Sequence, residues 1–145
     1  MKKIFTKICI ASDHAGFELK EKIKDYLISK NIPVIDLGAY SELSVDYPDF
    51  AKKVTKRLIL KKNDAGILVC GSGTGMAITA NKFKGIRAAQ CYNKNSTILS
   101  RHHNNSNIIC LGSRMLKYKD AIKYVTHFMN TKFAGGRHQK RINKI

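Results

Sequence analysis

Cys70 closes an apolar run, Ala65 to Val69, and is followed by Gly71, Ser72, Gly73, Thr74 and Gly75 before a helix-like stretch opens at Met76. A strand, a glycine turn and a helix start leave several backbone N–H groups without internal partners around one point. Such a point suits an anion, because the helix dipole is positive there. A thiol beside a helix N-terminus belongs to the class whose pKa can be lowered, so a base or nucleophile stands next to an anion hole. The spacing is not GxGxxG, since Met76 occupies the third glycine position, and no P-loop lysine follows. Two plainer readings stay open. A tight strand-to-helix turn needs glycine for positive φ, and a lone cysteine at a strand end is commonly packing.

Two further groups could do chemistry. Asp13 and His14 follow a short apolar run, and His102 and His103 precede Asn104. A histidine titrates in the range that acid–base catalysis at neutral pH requires. Asp13 reads equally as a cap for a helix beginning near Gly16. His102 and His103 are adjacent on one helix and so point in different directions. His127, in an apolar helical stretch, reads as a packed or partly exposed structural residue. Arg137 and Arg141 are four apart, one face of a helix if the basic tail is helical.

The elements that must position these residues alternate. Strands are expected at Thr6–Ala11, Ile32–Leu37, Asp64–Val69, Gly85–Cys91 and Asn107–Leu111. Helices are expected at Phe17–Lys30, Asp49–Lys62 with Pro48 in its first turn, from Met76, at Asn95–His103 and at Lys119–Phe133. Alternation throughout means an α/β domain with a parallel sheet. We read one three-layer Rossmann-like domain over 1–145, with a five-stranded parallel sheet of order 2-1-3-4-5, helices on both faces and a basic tail at 135–145. In that order strands 1 and 3 are neighbours where the winding reverses, the place where such sheets bind ligands. Asp13–His14 would then converge on Cys70 and the glycine turn.

Composition narrows the classes. The formal charge of +17 raises nucleic acid as a partner, but the lysines are scattered. Lys52, Lys53, Lys56, Arg57 and Lys61 recur at helical spacing as one solvated face, so no nucleic-acid partner is expected. Positive potential equally steers anionic small substrates. Cys9, Cys70, Cys91 and Cys110 contain no CxxC and mostly fall in strand-like runs. They read as buried thiols of a reduced, cytoplasmic protein, not as a disulfide framework or metal site. No apolar run reaches membrane-spanning length, and no signal-peptide core is seen.

SDHAG at 12–16, CGSGTG at 70–75 with ANK at 80–82, GIRAA at 85–89, RHHNNSN at 101–107, LGSR at 111–114 and GGRHQKR at 135–141 together resemble the type B ribose-5-phosphate isomerases. Their wider family includes galactose-6-phosphate isomerase subunits. The resemblance covers nearly the whole chain in one register. It implies an isomerase without cofactor or metal that interconverts ribose 5-phosphate and ribulose 5-phosphate through a cis-enediolate. It implies Cys70 as the base moving a proton between C2 and C1, since the turn here lacks the carboxylate that some relatives use. It implies His103 as the ring-opening group, a retained hydroxyl at Ser72, and Asn104 holding the sugar. Asp13 would contact sugar hydroxyls. Gly71, Ser72, Gly73, Thr74 and Gly75 would line the anion hole. His14, Arg114, Arg137 and Arg141 would hold the phosphate, with His138 nearby. Homodimers or homotetramers, with sites at the subunit interface, are implied as well.

The chemistry agrees with the residues. A base beside a carbon acid, N–H donors where negative charge develops, and arginine forks for a phosphate handle are the parts such a reaction needs. The alternatives are an isomerase of a six-carbon sugar phosphate (allose or galactose 6-phosphate) and a nucleotide- or nucleic-acid-binding Rossmann-like module. The second would place GxGxxG after strand 1, where SDHAG stands.

Overall fold

The computed structural model of the chain describes residues 4–145, so the first three residues of the expected 1–145 domain lie outside it. Five strands alternate with helices. They are β1 (Ile8–Ser12), α1 (Phe17–Ser29), β2 (Val34–Asp36), α2 (Tyr47–Leu60), β3 (Ala65–Cys70), α3 (Thr74–Ala80), β4 (Ala88–Gln90), α4 (Lys94–His102), β5 (Ile108–Gly112), α5 (Tyr118–Asn130) and α6 (Arg137–Ile142). All strand pairs are parallel.

The strands order β2-β1-β3-β5-β4, which corrects the expected 2-1-3-4-5 at one edge. The reason is burial. Every residue of β5 is buried, whereas β4 is three residues long and half-exposed. A strand that is apolar on both faces belongs inside a parallel sheet, and the short polar-ended strand belongs at its edge. The expected neighbourhood of β1 and β3 stands, with Ser12 opposite Val69.

Strand side chains alternate between two cores. Ile8, Ile10, Ile67, Val69, Ile109 and Leu111 face α1 and α5, where Ile23, Leu27, Val125 and Phe128 complete one layer. Cys9, Ala11, Leu68, Cys70, Ile108 and Cys110 face α2 and α3, against Val54, Leu58, Met76 and Ala80. α4 packs beside α5. All four cysteines are free and buried. Lys52, Lys53, Lys56 and Lys61 are solvated, as their spacing predicts, while Arg57 Nε reaches the buried Asp64 at 3.1 Å. Among the described residues, no helix is long and apolar enough to cross a membrane.

Candidate active site

The carboxyl ends of β1, β3 and β5 carry the first group of candidate residues. Cys70 is the last residue of β3 and is buried toward α3. Its sulfur accepts a hydrogen bond from the Gly73 amide at 3.1 Å, so the turn folds back over the thiol. Gly73 is in the left-handed region at φ 80°, which lets the chain reverse there and start α3. The Thr74 amide donates to Ser72 Oγ at 3.2 Å. The amides of Gly71, Ser72 and Gly75 find no protein acceptor among the described residues, which leaves donors for an anion.

β5 lies beside β3, so the loop after it joins the site. Ser113 N–H donates to the Cys70 carbonyl at 2.8 Å and Arg114 N–H to that of Gly71 at 3.0 Å. The Arg114 guanidinium lies over the Gly71 backbone, where a Cβ would come within 2.9 Å of Nη1. Arg114 is thereby beside the turn with its fork exposed.

From β1, the Asp13 amide donates to the Val69 carbonyl at 3.2 Å. The Asp13 carboxylate, almost wholly buried, accepts the Gly16 amide at 3.0 Å. Asp13 thus braces the loop just before α1 but does not cap the helix, whose N-cap is Gly16 with no side-chain cap bond. His14 Nδ1 lies 3.2 Å from both the amide and the carbonyl of Val45. The structure therefore gathers Asp13, His14, Cys70, Gly71, Ser72, Gly73, Thr74, Gly75 and Arg114 at one end of the sheet.

His103, Asn104, Arg137, His138 and Arg141 form a second group elsewhere. α4 begins after the carboxyl end of β4 and runs back for nine residues, about 13 Å at 1.5 Å per residue. Asn104 and Asn105 carbonyls accept from Arg87 Nε, each at 3.1 Å, at the amino end of β4. The His103 ring stacks on His138 with centroids 4.2 Å apart, and His102 is exposed with its ring 5.4 Å from His103. The tail is the helix α6, with Arg137 and Arg141 both exposed. Burial first, then the charges of His103, Arg137, Arg141 and His102, hold the His138 imidazole below its ordinary value. The two groups lie at opposite ends of the sheet, so one chain does not bring them together.

Arg101 anchors the second group from inside. Its guanidinium stands 4.8 Å from the Phe5 ring and 5.6 Å from that of Phe128. It donates to the Ser106 carbonyl at 2.6 Å, to Asn105 Oδ1 at 2.9 Å and to the Thr131 carbonyl at 3.2 Å. Burial, with the Arg87 charge adding to it, pushes this guanidinium down to about 10.

Sequence reasoning missed several residues. The Tyr47 ring packs against Gly75, where a Cβ would meet Cε2 at 2.5 Å. Gln90 Nε2 lies 2.8 Å from Thr74 Oγ1 and 3.0 Å from the Ser72 carbonyl. Ser113 Oγ donates to the Ala15 carbonyl at 2.8 Å and ties the loop after β1 to the loop after β5. Only Tyr47 carried a signal, as an aromatic directly before the Pro48 helix start.

The model of the ribose/galactose isomerase family matches residues 8–145. The chain belongs to this family. It is 41% identical over 139 residues to the ribose-5-phosphate isomerase B of Escherichia coli, covering 96% of this chain and 93% of that one. Among solved structures it is similar to a Thermotoga maritima ribose 5-phosphate isomerase, with a TM-score of 0.94 and 53% identity over 96% of both chains. It is also similar to the Mycoplasma genitalium ribose-5-phosphate isomerase B with bound ribulose 5-phosphate, with a TM-score of 0.91 and 44% identity over 95% of this chain and 92% of that one.

Proposed function

We propose that this family member interconverts ribose 5-phosphate and ribulose 5-phosphate in the non-oxidative pentose phosphate branch. The carrying observation is the convergence of a buried thiol, unpartnered turn amides and Arg114 at the carboxyl ends of β3 and β5. A relative at 44% identity holds ribulose 5-phosphate, which supports the substrate class. In this reading His103 moves the proton that opens the furanose ring. Cys70 then removes the C2 proton and returns it at C1; the C1 carbonyl oxygen carries the enediolate charge and ends, protonated, as the C1 hydroxyl, while the C2 hydroxyl gives up its proton and its oxygen becomes the ketone. The unpartnered amides of Gly71, Ser72 and Gly75 face the oxygen that gains charge, and each such donor is typically worth roughly 3–4 kcal/mol. Ser72 keeps a hydroxyl at the turn, Asp13 takes sugar hydroxyls through its second oxygen, and Asn104 holds the sugar. His14, Arg114, Arg137 and Arg141 take the phosphate, with His138 stacked on His103. No cofactor or metal is needed for this proton transfer.

The separation of the two groups supports a homodimer, or a pair of dimers, in which the second group of one copy faces the first group of the other. An isologous contact supplies this twice per dimer. The test is ribulose 5-phosphate formation by the native protein, followed by complementation. Cys70→Ala and His103→Ala chains are each inactive, and refolded together in equal amounts they recover about a quarter of native activity, because half of the dimers are mixed and each holds one intact site. No recovery from well-folded mixed dimers would place both groups in one chain's site. No native turnover, with activity on allose or galactose 6-phosphate instead, would move the substrate to the six-carbon class.

A further inference from the structure

Lys20 lies on the α1 face that also carries Ile23 and Leu27, and its side chain is fully buried. A buried ammonium is tolerated when its three N–H groups all find acceptors. Lys20 Nζ reaches the Ala39 carbonyl at 2.7 Å, Asp36 Oδ1 at 2.8 Å and Glu21 Oε1 at 3.1 Å. The rings of Phe17 and Tyr40 flank it, each with its centroid 5.4 Å away. Buried ion pairs contribute little beyond what a packed apolar side chain would. The significance of this lysine therefore lies in what it holds.

Asp36 and Ala39 bracket the turn that leaves β2. Asp36 Oδ1 also accepts the Gly38 amide at 2.9 Å. Ser12 N–H donates to the Gly38 carbonyl at 2.7 Å, and Ala39 N–H donates to the Ser12 carbonyl at 2.8 Å. Ser12 directly precedes Asp13 and His14. The exposed segment after Ala39 returns at Val45, whose backbone meets His14 Nδ1, and enters α2 through Tyr47 against Gly75. Both flanks of Asp13–His14 thus run back to the backbone that Lys20 grips.

The geometry points to Lys20 as a positioning residue for the candidate site: through Asp36 and Ala39 it fixes Ser12 to His14 on one side and the loop from Tyr40 to Tyr47 on the other. It makes no contact with substrate. The inference deepens the isomerase reading, and its activity arm rests on that reading; its exchange arm does not.

The experiment compares native protein, Lys20→Met and Asp36→Asn. In a folded Lys20→Met protein, amide exchange over 39–46 accelerates by about tenfold or more while β3 and β5 stay protected. The His14 ring nitrogen signals shift, because the Val45 bond to Nδ1 is lost. kcat/KM for ribose 5-phosphate falls on the order of 10²-fold, as expected for displaced positioning groups. Most of the loss falls in KM, since His14 is assigned to the phosphate end. Asp36→Asn keeps the shape and an acceptor, gives a smaller change in the same directions, and decides the matter if Lys20→Met does not fold. Native exchange over 39–46 and unshifted His14 signals in either folded variant would overturn the inference. So would accelerated exchange with unchanged kcat/KM in an active enzyme. Absence of native turnover would fail the isomerase reading alone, leaving the exchange and ring signals to decide the positioning role.

Discussion

Gly73 and Gly85 offer a matched test of how the glycine turn is built. Their φ angles are nearly equal, +80° and +85°. Their surroundings are opposite. A Cβ at Gly73 would meet the Leu111 backbone carbon at 3.0 Å and the Gly112 nitrogen at 3.2 Å, whereas a Cβ at Gly85 would meet nothing within 4 Å. Replacement by alanine costs about 1–2 kcal/mol at either position for the left-handed conformation. It recovers roughly 0.4–1 kcal/mol from the less free unfolded chain, so Gly85→Ala loses about 1 kcal/mol net. At Gly73 the obstacle is backbone of β5, which cannot rotate away, and overpacking adds a further 1–3 kcal/mol, roughly. At about 4 °C per kcal/mol for a chain of this size, Gly85→Ala lowers Tm by about 4 °C and Gly73→Ala by about 8–16 °C. Activity separates the two more sharply. Gly73 donates to Cys70 Sγ and leads into the unpartnered amides, so moving it misaims the donors and costs about 10²-fold or more in kcat. Gly85→Ala leaves kcat unchanged. Thermal unfolding by circular dichroism and the ribulose 5-phosphate assay read both effects. Equal Tm losses, or a Gly73→Ala enzyme within threefold of native kcat, would refute the reasoning.

Other expectations follow from the same contacts. Phe128 is fully buried, stacks on Phe5 at 5.8 Å and faces the Arg101 guanidinium, so Phe128→Ala costs roughly 3–5 kcal/mol in a urea titration. Burial pushes the Asp36 carboxyl up, but the Lys20 and Lys24 ammoniums and the Gly38 amide outweigh it and hold it below its ordinary value. Its stabilising contribution is therefore full above the unfolded carboxylate pKa and is lost as pH falls through the lower folded one, so urea midpoints drop in acid and the drop is shallower in Asp36→Asn. Lys24 is affected first by burial, which lowers it, but its bonds to Glu21 and Asp36 raise it overall. Its contribution is full below the unfolded lysine pKa and is lost only as pH rises through the higher folded value, giving an alkaline loss that Lys24→Met removes. Burial pushes the Cys9 thiol up to about 11, and burial also raises Cys91 and Cys110. Iodoacetamide at pH 8 therefore spares Cys9, Cys91 and Cys110 in the native protein and labels them once it is unfolded in urea, as peptide mass mapping would show; native labelling of Cys9 as fast as in urea would contradict the structure.

The apolar runs made the strands legible, and the alternation of strand and helix made the parallel sheet legible. The neighbourhood of β1 and β3 followed from the winding, and with it the meeting of Asp13–His14 with Cys70. The order of the last two strands did not follow, because it depends on comparing the burial of NIICL with that of AAQ, a property of the packed sheet. That inversion matters for the site, since it puts Arg114 over Gly71. The motifs marked His103 and Arg137; the helix before β5 must end at the amino end of the parallel sheet, which places His103 there, but where α6 docks, and so the approach of His138 to His103, is a packing property that residue order does not fix. Lys20 was hidden for another reason. Its spacing with Ile23 and Leu27 puts it on the buried face, yet a charge there reads as an interruption until its acceptors on Asp36 and Ala39 are seen. Backbone partners such as Val45 leave no trace in residue type at all.

Cys70 as the base of a pentose phosphate isomerase is the proposal on which the other residue roles depend. The most direct measurement is ribulose 5-phosphate formation from ribose 5-phosphate, with EDTA present, by native protein and by Cys70→Ala of unchanged fold and oligomeric state. Metal-independent native turnover is expected, with a loss of at least about 10³-fold in kcat for the variant, the proton transfer having no substitute base in the turn. Turnover that survives the substitution would keep the substrate and contradict Cys70 as the base.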